Sequence, residues 1–236
     1  RRGAGNAAQA ERAPPARSSP WAEAVMPGAL IAIEGPDGAG KTTLARRLAQ
    51  RLRDAGADVL EVREPGGTPV AEAARRIVLD PGLEVSPVAE LFLMLAARAD
   101  LVARVIRPAL AAGRIVVTDR FDLSTEAYQV EGRGLPRDAV LEANRLATGA
   151  LKPHVVLVLD VPEEVGRSRQ AANGKSPDRL EQERAGLHAR VVRAFAAATG
   201  PSVVHLDATH AMEEVERRAW DVLRSRMGET FPVAKG

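Results

Sequence analysis

Ten consecutive residues, Glu34-Gly-Pro-Asp-Gly-Ala-Gly-Lys-Thr-Thr43, carry the types and spacing needed to hold phosphate. Gly35, Gly40, Lys41 and Thr42 fill the fixed positions of a phosphate-binding loop. Glycines let successive backbone N–H groups turn toward a polyphosphate, the lysine bridges its outer phosphates, and the threonine hydroxyl takes a place on magnesium. The whole stretch of Gly35, Pro36, Asp37, Gly38, Ala39, Gly40, Lys41, Thr42 and Thr43 is expected to wrap the polyphosphate of a nucleotide. Three other places offer matching chemistry. Asp119-Arg120 pairs an acid suited to magnesium with a cation suited to phosphate, although a simple structural ion pair accounts for the same two residues. Arg63 precedes a Pro-Gly-Gly turn, and Arg167, Arg169, Lys175 and Arg179 bracket Asn173-Gly-Lys-Ser-Pro-Asp178, a composition suited to a lid over a polyphosphate.

These residues need elements to place them. Leu30 to Ile33 reads as a buried strand before the loop, and Thr42 to Ala55 as a helix after it, with Leu44, Leu48 and Leu52 four apart. Strand, loop and helix N-terminus together make an anion site. Asp58 to Val62 predicts a second strand, running into the turn of Arg63-Glu-Pro-Gly-Gly-Thr68. Ser86-Pro87 predicts the N-cap and first turn of a long helix reaching toward Gly113 and bent at Pro108. On it Leu91, Leu95, Arg98, Leu101 and Val102 share a broad face, which draws Arg98 toward apolar surroundings, where an arginine either snorkels or binds a ligand.

Ile115 to Thr118 predicts the third strand, Pro136 to Thr148 a helix and His154 to Asp160 the fourth strand, with His154 an ordinary strand residue. A helix from Pro162 to Ala171 leads into the lid, set at about residues 167–181. Leu180 to Thr199 is the next helix, Val203 to Asp207 the fifth strand, and Met212 to Met227 a closing amphipathic helix. Strands separated by helices predict an α/β fold: a five-stranded parallel sheet with helices on both faces and right-handed crossovers.

Composition narrows the function. The 236 residues contain no cysteine, which removes disulfides and thiolate metal sites and is compatible with a reducing cytosol. The formal charge of +2 comes from residues 1–25, leaving 29 basic and 29 acidic residues elsewhere, so no broad nucleic-acid surface is expected. Seven aromatic residues make stacking platforms for single strands an equally poor expectation. No apolar run approaches the roughly 18 residues that span a bilayer. Residues 1–25 are rich in Ala, Arg, Pro and Ser without apolar periodicity and are expected to be a disordered tail. A leader, a linker and translated upstream sequence remain open for it. Residues 26–227 are expected to form the catalytic domain and 228–236 a fraying tail.

Together the phosphate loop with Asp37, the block Arg63 to Thr68, the Arg98 helix, Asp119-Arg-Phe-Asp-Leu-Ser-Thr-Glu-Ala-Tyr-Gln129 and Asp178-Arg-Leu-Glu181 resemble the thymidylate kinases, bacterial dTMP kinases of the P-loop nucleoside monophosphate kinase group. The resemblance covers about Leu30 to Leu223. It implies transfer of phosphate from ATP to dTMP with magnesium, in a cytoplasmic homodimer with no nucleic-acid or membrane partner. It further implies Lys41 on the ATP phosphates, Thr42 and Asp119 on the metal, and Asp37 near the deoxyribose 3′-hydroxyl. Arg63 and Arg120 would clamp the dTMP phosphate, Arg98 would read thymine with Ser124 and Thr125 beside it, and Tyr128 would lie beneath the sugar.

Two departures stand out. Met94 occupies the place where the family commonly stacks a phenylalanine on the base, with Phe92 nearby, and a thioether also packs on a ring face. The lid also departs, with Ala171 and Asn173 after Arg169 where related lids often carry arginines at alternate positions. One branch of the family instead places an arginine inside the phosphate loop, but Pro36 to Ala39 contain none, so the resemblance implies a catalytic cation from Arg167, Arg169, Lys175 or Arg179. Of these, Arg169 and Arg179 are expected to act on the transferring phosphoryl. A P-loop kinase of another deoxynucleoside or its monophosphate, and a nucleotide-binding regulator without turnover, are the competing readings.

Overall fold

The computed structural model describes residues 27–172, 178–180 and 185–228, so the expected tail at 1–25, Lys175, Glu181 and residues 229–236 lie outside the described residues. Among those described, five parallel strands form one sheet in the order β2-β3-β1-β4-β5. They are β1 (Ala29–Glu34), β2 (Val59–Arg63), β3 (Ile115–Asp119), β4 (Val155–Asp160) and β5 (Val203–Asp207). β1 is central and completely buried, with β3 on one side and β4 on the other.

Strand alternation divides the core between the two faces of the sheet. Ile31 and Ile33 join one cluster with Leu44, Leu48 and Leu52 of α1 (Lys41–Asp54) and with Val215, Ala219 and Leu223 of α9 (Met212–Met227). Leu30 and Ala32 face the opposite cluster, with Leu101, Ile106, Leu110, Phe121 and Phe195. A strand covered on both faces has no polar side to show, which explains its unbroken apolar run. His154 is structural: its Nδ1 accepts from Leu30 N at 3.0 Å, and its own N–H donates to Leu30 O at 2.8 Å.

The N-cap expected at Ser86 is present, accepting from Ala89 N ahead of α3 (Pro87–Leu101). The helix reaches toward Gly113 as expected, but by widening into a π-helical segment at Val102–Ile106 and resuming as α4 (Arg107–Ala111). The wider ladder comes just before Pro108, which has no N–H to contribute to it. α2 (Pro69–Leu79) has no counterpart in the sequence reading. Its N-terminus carries the same signal as Ser86-Pro87, since Thr68 Oγ1 accepts from Ala71 N and Pro69 opens the first turn. Its buried stripe is Ala71, Ala74 and Val78, too small in side chain to stand out as a hydrophobic period.

Beyond β3, the short α5 (Asp122–Thr125) passes into a second π-helical segment, Glu126–Gly132, followed by α6 (Arg137–Thr148). α7 (Glu163–Ala172) follows β4, and α8 (Ala185–Ala196) precedes β5. The expected start of α8 at Leu180 is not helical, because the Asp178 carboxylate accepts from Leu180 N at 3.0 Å and holds a turn there. At the other end the helix stops at Ala196, short of Thr199.

Candidate active site

The phosphate loop leaves the C-terminal end of β1, where the direction of strand succession reverses between β3 and β4, the place where open α/β sheets bind ligands. A cleft of about 1000 Å³ opens there. Its wall includes Asp37, Gly38, Gly40, Lys41, Thr42, Thr43, Arg63, Met94, Arg98, Asp119, Arg120, Ser124, Thr125, Tyr128 and Arg169, so residues from distant parts of the chain converge on one space.

Gly38 shapes the loop. Its φ of +77° favours glycine, and a Cβ there would stand 2.1 Å from the carbonyl oxygen of Gly166 in α7. The approach is reciprocal, since a Cβ on Gly166 would lie 2.7 Å from Asp37 O. Ala39 is buried in the core behind the loop. Lys41 is 7% exposed and donates from Nζ to Pro36 O at 2.7 Å. Burial, aided by Arg120, pulls its pKa down to about 8, against the pull of Asp37 and Asp119. Thr42 Oγ1 donates to Asp119 Oδ2 at 2.5 Å. A hydroxyl and a carboxylate in contact are hard oxygen donors that suit Mg²⁺. Among the described residues no group of three or more His, Asp or Glu offers a metal site made by protein alone.

Arg120 has φ +75°, a backbone state that costs a non-glycine residue roughly 1–3 kcal/mol. Its N–H donates to Ile33 O at 3.0 Å and its carbonyl accepts from Thr118 Oγ1 at 2.8 Å, which fixes this conformation. Its guanidinium pairs with Asp37, reaches Ser124 Oγ at 3.2 Å and lies 5.2 Å from the Tyr128 ring centre. Tyr128 OH donates to Asp37 Oδ2 at 2.7 Å. Burial works to raise the Asp37 pKa, but Arg120 and Lys41 overcome it and hold the carboxylate below its ordinary range. Beneath them Glu34, fully buried at the end of β1, accepts from Phe121 N at 2.8 Å, Ser124 N at 3.1 Å and Ser124 Oγ at 2.5 Å. Burial lifts its pKa to about 7, with the Ser124 hydrogen bond opposing.

Arg63 reaches the cleft from the end of β2. It donates to Pro65 O at 2.9 Å and pairs with Glu72 at 3.0 Å, while Arg75 of α2 donates to the same Pro65 oxygen at 3.0 Å. Two guanidiniums on one carbonyl concentrate positive charge where an anion would neutralise it. Burial and Arg63 both lower the Arg75 pKa. The sequence reading lacked Arg75 because it lacked α2.

At the far end Arg98 is buried, bound to Glu64, Thr125, Asn144 and the Phe121 carbonyl. Met94 lines the cleft one helical turn away, whereas Phe92 is 60% exposed and points out of it, so Phe92 does not stand in for a stacking ring.

The lid cations part company. Arg169 lines the cleft and donates to Ala208 O at 2.8 Å. Arg167 pairs with Glu163 at the surface, 2.6 Å away. Arg179 is not among the cleft-lining residues. It donates to Val78 O at 2.7 Å and pairs with buried Glu90, which also binds Arg133 and Gln129. Its neighbours Asp178 and Leu180 do face the cleft.

A phosphate loop after the central strand, an aspartate on its threonine at the next strand's end, and a cleft ringed by guanidiniums define a P-loop phosphotransferase with room for two substrates. Sequence comparison narrows the class. The family model for thymidylate kinase matches residues 33–219. The thymidylate kinase of Synechococcus sp. (strain JA-2-3B'a(2-13)) is 47% identical over 201 residues, 84% of this chain and 95% of the relative. That of Deinococcus radiodurans is 43% identical over 202 residues, covering 84% and 98%, and that of Ectopseudomonas mendocina 44% over 195 residues, covering 81% and 92%. The chain belongs to the thymidylate kinase family.

Proposed function

We propose that the chain phosphorylates dTMP to dTDP with ATP as donor, the step that feeds dTTP synthesis. The observation that carries this reading is one cleft with a phosphate loop at one end and the buried Arg98 at the other, joined by Arg120, Asp37 and Tyr128. Lys41 and the loop amides bind the ATP phosphates. Thr42 and Asp119 would hold Mg²⁺, which when bound supplies charge neutralisation on the phosphate oxygens.

The acceptor phosphate sits against Arg63, Arg75 and Arg120, three cations that offset its repulsion from the donor. Asp37 orients the Arg120 guanidinium and the Tyr128 hydroxyl and lies within reach of the sugar. The Tyr128 ring closes the space a 2′-hydroxyl would need. Arg98 donates to the base with Thr125 at its side and Met94 against the ring. Ser124 ties Glu34 to Arg120 and so braces the clamp. Arg169 is the cation from α7 that meets the transferring phosphoryl, whereas Arg179 acts by holding Asp178 and Leu180 at the cleft wall. Such a site works by alignment and charge neutralisation, which is what phosphoryl transfer asks of a protein.

The active form is a homodimer, with the catalytic unit spanning residues 26–227. The adjacent helices α2 and α3 leave Val70, Ile77, Val88 and Phe92 exposed, each worth about 1.5–3 kcal/mol if a partner covers it. The reaction is tested by ADP release with dTMP, dUMP, dCMP, dGMP and the ribose analogue of dTMP. Turnover is expected to be fastest with dTMP, and its absence there would sink the reading.

A further inference from the structure

Arg98 is 4% exposed and held on several sides. Its Nε donates to Glu64 Oε2 at 2.6 Å, Nη1 to Thr125 Oγ1 at 2.5 Å and Asn144 Oδ1 at 2.7 Å, and Nη2 to Phe121 O at 2.8 Å. A guanidinium has five N–H groups in one plane, so these partners leave a single Nη2 hydrogen for a ligand in the cleft. The partners come from four places: the turn after β2, the residue ahead of α5, α5 itself and α6. The carbon of the guanidinium lies 5.5 Å from the centre of the Phe121 ring, which supports its face. Rotation about any side-chain bond of Arg98 would break more than one of these contacts.

Glu64 is a costly way to hold an arginine. It is buried, and burial raises its pKa against the opposing charge of Arg98. Its second oxygen, Oε1, is buried without a hydrogen-bond partner among the described residues. A buried carboxylate with one unmet oxygen adds little net stability compared with an apolar replacement. What it supplies is direction, because the short bond to Nε fixes the guanidinium along one edge. The Glu64 backbone is anchored in turn, with its N–H on Asp119 O at 2.9 Å. The end of β3 that presents Asp119 therefore also sets the height of Glu64.

We propose that Glu64, seconded by Asn144, is a specificity-determining positioning residue: it holds Arg98 so that one N–H, and no acceptor, faces the edge of the nucleobase. This rests on the dTMP reading given above. A single fixed donor accepts a base that presents a carbonyl oxygen and rejects one that presents an amino group, because the rejected pair would leave two buried donors facing each other. Thymine has such a carbonyl at its 4-position and cytosine has an amino group there. Loosening Arg98 lets it turn aside and admits the wrong edge.

The test compares wild type with Glu64→Gln and Asn144→Leu in steady-state assays with dTMP and dCMP as acceptors, together with thermal melting. Each variant is expected to raise KM for dTMP by about tenfold or more, the scale of a displaced positioning group, and to lower the dTMP-to-dCMP ratio of kcat/KM. KM for ATP is expected to move far less. In an Arg98→Ala background Glu64→Gln is expected to cause no further loss of selectivity.

A merely structural role would lower the melting temperature and the active fraction while leaving KM for dTMP and the selectivity ratio where they were, and that result overturns the proposal. If Glu64→Gln does not fold, Asn144→Leu decides by the same two readouts. A wild-type chain that ignores dTMP would overturn the proposed reaction and this inference with it. Wild-type turnover beside unmoved variants overturns this inference alone.

Discussion

At the phosphate end of the cleft, the functional groups are shared and unsettled. Lys41 makes do with a loop carbonyl, Arg63 and Arg75 crowd one oxygen, and Arg120 spreads itself over Asp37, Ser124 and Tyr128. At the base end, four of the five N–H groups of Arg98 are taken by buried protein partners, which leaves one for a ligand. The contrast follows from what each end must do. Charge moves during phosphoryl transfer, so cations there gain from having partners they can exchange for phosphate oxygens. A base only has to be recognised, so the donor that reads it gains from being fixed before the ligand arrives.

Substitutions can break this contrast. The largest effect is expected at Lys41→Ala, where kcat should fall by several orders of magnitude while dTMP binding, followed by calorimetry, changes little. Near-normal turnover would remove Lys41 from the donor site. Arg169→Ala is expected to lower kcat by about 10²–10³, the usual cost of losing one transition-state donor, with a smaller change in KM for ATP. An Arg179→Ala loss as large, and carried by kcat alone, would reverse the roles given to the two arginines.

Tyr128→Ala sharpens the boundary between the two ends. Preference for deoxyribose over ribose acceptors should narrow by about tenfold, in keeping with the worth of a small steric contact, and an unmoved ratio would take Tyr128 out of the sugar site. Acidity gives a gentler probe. Because burial lowers the Lys41 pKa to about 8, the free protein loses this charge as pH rises through that value. A plot of kcat/KM for ATP against pH should therefore decline above about pH 8, while kcat, measured with phosphates bound beside Lys41, holds to higher pH. The smallest signal concerns assembly. Phe92→Glu should shift sedimentation from dimer toward monomer, and an unchanged profile would place the interface elsewhere.

The two ends also differed in how far they could be read from sequence. The phosphate loop is contiguous and its requirements are those of backbone geometry, so Gly35, Gly40, Lys41 and Thr42 announce it unaided. Arg98 stood out as a cation on an apolar helix face, but nothing in the chain links it to Glu64, 34 residues earlier, or to Asn144, 46 later. Their pairing exists only after α6 and the turn following β2 both pack against α3. Arg75 was hidden for another reason. Its helix buries alanines, whose weak periodicity is outvoted by the turn residues before it, although Thr68-Pro69 held the start signal. Glu34 read as the first residue of the phosphate-binding stretch, and only its burial reveals the brace beneath Phe121 and Ser124.

The back-to-back contact of Gly38 with Gly166 bears on alignment across the reaction. Neither glycine leaves room for a Cβ against the other's backbone, so the phosphate loop and the helix bearing Arg169 approach main chain to main chain. Side chains yield by changing rotamer, but two peptide planes in contact do not. The position of Arg169 is thereby referenced to the phosphate loop, like two parts machined on a common face. The spacing between them is set by the absence of a methyl group on either side.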